Sequence, residues 1–173
     1  MIEEIYQRYG RIDGVIHGAG VVEDRKLRDK TSDSVARVFN TKVIAARVLA
    51  ESLRSETLRF LVFFSSAAAK FGNAGQSDYA AANECLNRLA QQLDRQWPGR
   101  VMAINWGPWD RGMVTEAVAN LFRKFNFGLI PGAAGVEACL AELDGAGAHA
   151  AEVIIGCDVR RLEAVGTEAT PWT

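Results

Sequence analysis

This chain of 173 residues holds little cysteine and little histidine, and each scarcity excludes something. Cys85, Cys139 and Cys157 are odd in number, far apart and without a C-x-x-C pair, so no disulfide framework is expected. They read as buried free thiols in a reducing compartment. His17 and His149 are the only histidines, which argues against a histidine-rich metal site, and none is expected. The longest wholly apolar run, Phe60 to Phe64, is far too short to span a bilayer. A net charge of -1 supplies no field that would recruit nucleic acid or an anionic membrane, and neither is an expected partner. The acidic start, Met1-Ile2-Glu3-Glu4, does not resemble a secretory signal, and the expected location is cytoplasmic.

What is present is ordinary for an α/β protein: 49% hydrophobic and 24% charged residues in a one-domain length. Short apolar runs alternate with longer helical patterns, which predicts βαβ units on a parallel sheet. Ile2 to Tyr9 reads as a helix closed by Gly10, and Gly14 to His17 as a strand entering the turn Gly18-Ala19-Gly20. Thr31 or Ser32 can cap one long helix to about Leu53, with Val35, Val38, Phe39, Val43 and Ala46 on its apolar stripe. Leu58 to Phe64 is an unbroken apolar strand, as burial on both faces requires. A helix from Gln76 to about Gln96 stops at Pro98-Gly99, and a strand from Val101 to Asn105 follows. Thr115 to Phe125 and Ala133 to Leu143 read as helices, and Glu152 to Gly156 as the last strand. About four strands joined by right-handed crossovers result, with a polar tail over 160–173.

Four residues could polarise and protonate a carbonyl: Lys42, Ser66, Tyr79 and Asn83. Tyr79 and Asn83 stand four apart on a helical pattern and share a face. Ser66 lies just past the carboxyl end of a buried strand, where open α/β sheets bind ligands. A tyrosine can donate the proton, but its ordinary pKa of about 10 is high for that task, and a nearby ammonium would lower it. Lys42 is the candidate ammonium, Ser66 the hydrogen-bond donor to the substrate oxygen, and Asn83 the group that orients Lys42 or a water. Singly, each residue is as easily a packing or surface position; the spacing is what joins them.

The span from about Ile5 to Val159 resembles the catalytic half of ketoreductase domains of modular polyketide and polyunsaturated-fatty-acid synthases, in the short-chain dehydrogenase/reductase superfamily. Carrying the resemblance are Gly14-Val15-Ile16-His17-Gly18-Ala19-Gly20, Phe39-Asn40-Thr41-Lys42-Val43, Phe63-Phe64-Ser65-Ser66, Gly72 to Asn83, and Ile104-Asn105-Trp106-Gly107-Pro108-Trp109. Most of the superfamily has Tyr-x-x-x-Lys; ketoreductase domains have Tyr-x-x-x-Asn with the lysine moved to the position of Lys42. The resemblance implies that Gly18, Ala19 and Gly20 line the nicotinamide ribose with Lys42 and Tyr79, and that Gly107 and Pro108 border the ring. It implies a lid from Trp109 to about Ile130, with Asp24, Phe71, Trp109 and Met113 toward the substrate. It also implies NADPH as reductant and a β-ketoacyl thioester on an acyl carrier protein as substrate. Val22-Glu23-Asp24 resembles the Leu-Asp-Asp of one stereochemical class, and Phe71 stands where the other class favours Trp, which leans toward a D-hydroxy product.

The Gly-rich turn that holds the nucleotide phosphates in this family is absent, because Gly18-x-Gly20 is followed by Glu23 where a third glycine is needed. The expected architecture is therefore a partial Rossmann-like doubly wound sheet over 1–159, lacking its N-terminal half. The first strand would then have one bare edge. On this reading the chain works only with its missing half or neighbouring synthase domains. A non-catalytic scaffolding piece of a synthase is the alternative.

Overall fold

The computed structural model describes residues 1–110, 112, 128–145 and 149–156. The expected helix 115–125, Met113, Cys157 and the tail 160–173 lie outside these. Helix α1 (Ile2–Tyr9) ends at Gly10, whose φ of 76° is the left-handed cap a glycine makes easily. Buried Tyr6 accepts a hydrogen bond at its hydroxyl from Arg54 N–H at 2.9 Å. Strands β1 (Gly14–His17), β2 (Phe60–Ser66), β3 (Arg100–Trp106) and β4 (Glu152–Ile155) form one parallel sheet in the order β1-β2-β3-β4. Gly14 lies opposite Phe60, Phe60 opposite Arg100, and Ala103 opposite Glu152.

Both faces of the middle strands are covered, which is why β2 and β3 are continuously apolar rather than alternating. Leu61, Phe63, Val101 and Ala103 pack with Ala46 of α3 (Ala45–Ser52) and with Leu86, Ala90 and Leu93 of α5 (Ser77–Asp94). Val62, Met102, Ile104 and Trp106 pack on the other side with Ile130 and with Cys139 of α6 (Gly132–Leu143). The strands are parallel and advance in one direction across the sheet, so helices on opposite faces make connections of opposite hand. The expectation of right-handed crossovers throughout therefore fails: α3 and α5 share a face and α6 does not.

The long helix expected from Thr31 or Ser32 to Leu53 is interrupted. Thr31 caps α2 (Ser32–Phe39) by accepting from Ser34 N–H, and Ser34 reciprocates. A π turn then occupies Asn40–Ile44 before α3 begins. A single π turn inside a helix commonly marks a functional position. Short α4 (Ala68–Phe71) follows β2 directly.

Among the described residues β1 pairs with β2 alone, and Ile16 on it is 49% exposed. Cys139 is buried, but Cys85 is exposed on α5, against the expectation of buried thiols. Among the described residues no helix is long and apolar enough to cross a membrane, and no group of His, Cys, Asp or Glu could hold a metal ion.

Candidate active site

Lys42 sits in the π turn and is only 3% exposed, although the helical pattern alone would permit a solvated charge there. Its ammonium donates to the carbonyl of Phe64 at 3.0 Å and lies 5.4 Å from the centre of the Tyr79 ring. Burial pulls the ammonium down from 10.5 to about 8. The end of β1 holds it from behind. His17 Nε2 and the Lys42 carbonyl are 3.0 Å apart, so that nitrogen carries the proton, and burial keeps the imidazole neutral by lowering its pKa. Gly20 lies so close that a Cβ there would stand 3.0 Å from Lys42 Cε and 3.2 Å from Nζ.

Tyr79 and Asn83 lie on the first turns of α5, and Ser66 ends β2. The phenol is pushed above its ordinary value, mainly by burial. Hydrogen bonds from Asn83 and Ser66 oppose the rise and the Asp24 carboxylate adds to it. This corrects the sequence-based expectation of a lowered phenol: the Lys42 ammonium does not reverse the desolvation. Asn83 does not bond to Lys42 either. Its Nδ2 donates to the Tyr79 carbonyl at 2.7 Å, and its buried Oδ1 has no partner. Ser66 Oγ accepts from Ala68 N–H at 3.2 Å, which leaves its own proton to offer. The structure thus gathers Lys42, Ser66, Tyr79 and Asn83 at the carboxyl end of the sheet.

The other candidates lie around this group. Asp24 is exposed and accepts from Gln76 Nε2 at 3.2 Å. Phe71 is half-buried at the end of α4. A Cβ at Gly18 would meet only the Phe64 side chain, at an ordinary 3.6 Å, and Ala19 adjoins it in the same turn. Gly107 is buried at the end of β3, where a Cβ would meet Gly156 Cα at 3.2 Å; its neighbour Pro108 accepts at its carbonyl from Ile130 N–H. Trp109 packs edge-on against Trp106 at 4.8 Å and against Gly135 of α6.

Sequence reasoning missed Lys30 and Asp78. Their side chains are 4% and 2% exposed and pair at 2.7 Å. Asp78 Oδ1 also accepts from Tyr79 N–H at 2.8 Å, and Lys30 Nζ donates to the Glu23 carbonyl at 2.9 Å. This pair ties the Glu23-Asp24 segment to the turn that carries Tyr79. Only the position of Asp78 beside Tyr79 hinted at it.

The family model described as KR domain matches residues 1–111. The chain belongs to the KR family, the ketoreductase domains. It is 35% identical over 159 residues to a polyunsaturated fatty acid synthase polypeptide of Thraustochytrium sp., covering 92% of this chain and 6% of that protein. A crystal structure of an N-terminal ketoreductase from the macrolactin assembly line matches with a TM-score of 0.80 at 32% identity, over 95% of this chain and 32% of that one. The ketoreductase from the first module of phoslactomycin biosynthesis in Streptomyces matches with a TM-score of 0.83 at 30% identity, over 98% and 40%. The chain therefore spans well under half the length of these relatives. The fold is the Rossmann-like one of the short-chain dehydrogenase/reductase superfamily.

Ketoreductase domains generally use a nicotinamide dinucleotide. The residues present fit its nicotinamide-ribose end: a buried ammonium and a phenol stand together as donors, beside an unpartnered carboxamide oxygen on Asn83. Two glycines assigned to the cofactor by resemblance have a nearer reason to lack a side chain. Gly20 makes room for Lys42 and Gly107 for Gly156.

Proposed function

We propose that residues 1–159 are the catalytic portion of a ketoreductase domain that reduces a carrier-protein-bound β-ketoacyl thioester to a β-hydroxyacyl thioester with NADPH. The observation that supports this most is the juxtaposition of the Lys42 ammonium, 5.4 Å from the Tyr79 ring centre, with Ser66 and Asn83 beside the phenol. When bound, the reductant supplies a hydride, and Lys42, Tyr79, Gly18, Ala19 and Gly20 would hold its ribose end. Tyr79 holds a proton at its hydroxyl throughout the neutral range, because its pKa is raised. It gives that proton to the substrate oxygen, which Ser66 steadies from its own hydroxyl. Lys42 supplies positive charge against the developing phenolate, and Asn83 holds the turn that carries Tyr79. Asp24 bears on product geometry, and a D-hydroxy product follows from its match to one stereochemical class.

A phosphate-binding half supplied by a further segment would find a parallel strand-pairing site at β1, which among the described residues pairs with β2 alone and carries the exposed Ile16. A cytoplasmic synthase is the setting. Mixing the chain with a ketoreductase N-terminal half, NADPH and a β-ketoacyl thioester tests this. Turnover that disappears with Tyr79→Phe supports the reading. A folded complex without turnover supports a scaffolding role instead.

A further inference from the structure

Behind the four residues lies a closed ring of polar side chains that the reaction scheme does not use, fully buried at Asn87 and Asn105 and open to solvent at Lys70. Glu84 Oε2 accepts from Asn87 Nδ2 at 2.8 Å, and Asn87 Nδ2 also donates to Asn105 Oδ1 at 3.0 Å. Asn105 Nδ2 donates to Glu152 Oε1 at 3.0 Å and to the Val153 carbonyl at 3.3 Å. Lys70 Nζ closes the ring, 2.5 Å from Glu152 and 3.1 Å from Glu84. Burial disfavours the Lys70 charge, but bonds to Glu152 and Glu84 outweigh it and raise its pKa. The ring joins α4, α5, β3 and β4, and Asn105 at its centre is fully buried.

One residue links this ring to the site. Ser65, 5% exposed at the end of β2, has its hydroxyl 3.1 Å from Asn105 Oδ1 and 3.1 Å from the Asn83 carbonyl. Its single proton is shared between these acceptors. Asn83 Nδ2 in turn holds the Tyr79 carbonyl, so a line of contacts runs from Asn105 through Ser65 and Asn83 to the turn bearing the phenol. The neighbouring residue on the strand is Ser66. The fully buried part of this line, Ser65 hydroxyl to Asn105 Oδ1 and to the Asn83 carbonyl, is shielded from competing water, where a hydrogen bond holds its partners more firmly than at the surface. We propose that Ser65, held by Asn105, is a positioning residue that fixes the spacing between the Ser66 end of β2 and the Tyr79–Asn83 turn of α5. The proposal rests on the reductase reading, but its geometry can be tested apart from turnover.

The test uses the 173-residue chain with tyrosine labelled at Cζ with ¹³C, Tyr79→Phe assigning the resonance among Tyr6, Tyr9 and Tyr79. Ser65→Ala removes a buried hydroxyl and should lower the melting temperature by only about 2–4 °C, while moving the Tyr79 titration further upward, since the Asn83 contact that favours phenolate is loosened. In the complemented assay it should lower kcat about tenfold at unchanged KM, the signature of misplacement in the reacting complex. Ser65→Thr and Ser65→Val form a matched pair of equal shape, so packing strain is common to both. The threonine variant should keep the wild-type titration and kcat, and the valine variant should lose them. Equal behaviour of the pair, or a Tyr79 titration and kcat untouched in Ser65→Ala, overturns the proposal. A displaced titration in a chain whose wild type shows no turnover counts against the reductase reading and supports the positioning of Tyr79.

Discussion

Replacing Lys42 by Met should abolish reduction and make the protein more stable. Burial lowers the ammonium from 10.5 to about 8, and at about 1.4 kcal/mol per unit the charged form costs roughly 3 kcal/mol at neutral pH. Met fills a similar volume without a charge but loses the charged bond to the Phe64 carbonyl, worth about 2 kcal/mol. The net gain is about 1 kcal/mol, which for this chain length raises Tm by about 3 °C. The pH dependence gives the reasoning a second handle. Between about 8 and 10.5 the unfolded chain binds a proton at Lys42 that the folded chain has released, so wild-type stability rises with pH across that window. The advantage of Lys42→Met is therefore full below about pH 8 and gone near 10.5. Paired thermal melts at pH 7 and pH 10 read it directly. A destabilised variant, or a difference that does not shrink with pH, refutes the account of a desolvated lysine retained for function at the expense of stability.

Two further substitutions probe the same site. Gly20→Ala places a methyl 3.2 Å from Lys42 Nζ, so the ammonium should leave the Phe64 carbonyl, its pKa should climb back toward 10.5, and kcat should fall about tenfold; lysine NMR titration and the complemented assay measure both. Lys30→Met strands the buried Asp78 carboxylate and should cost about 3–5 kcal/mol in urea unfolding, whereas the double variant with Asp78→Leu should recover most of that loss.

How much of this could be read beforehand depends on the range of the interaction. The strands, their order along the chain and the doubly covered sheet followed from local apolar runs. The order of Lys42, Ser66, Tyr79 and Asn83 pointed to one chemistry, and the fold gathers these residues. The π turn escaped because residues 38, 42 and 46 still fit a plain helical stripe; nothing in the pattern shows that the middle one is a buried cation. The raised phenol escaped because charge proximity can be guessed from motifs, while desolvation depends on everything packed around Tyr79. Lys30–Asp78 and Ser65–Asn105 span 48 and 40 positions of the sequence, and only the folded chain brings their polar atoms within bonding distance. The placement of α6 on the second face is likewise a property of the whole sheet.

Titration of the chain labelled with ¹³C at lysine Cε tests most directly whether ammonium and phenol share one dry pocket. One resonance should show a midpoint near 8, vanish in Lys42→Met and shift when Tyr79→Leu removes the ring beneath it. Lysines that all titrate above about 10, as exposed ones do, would contradict the account.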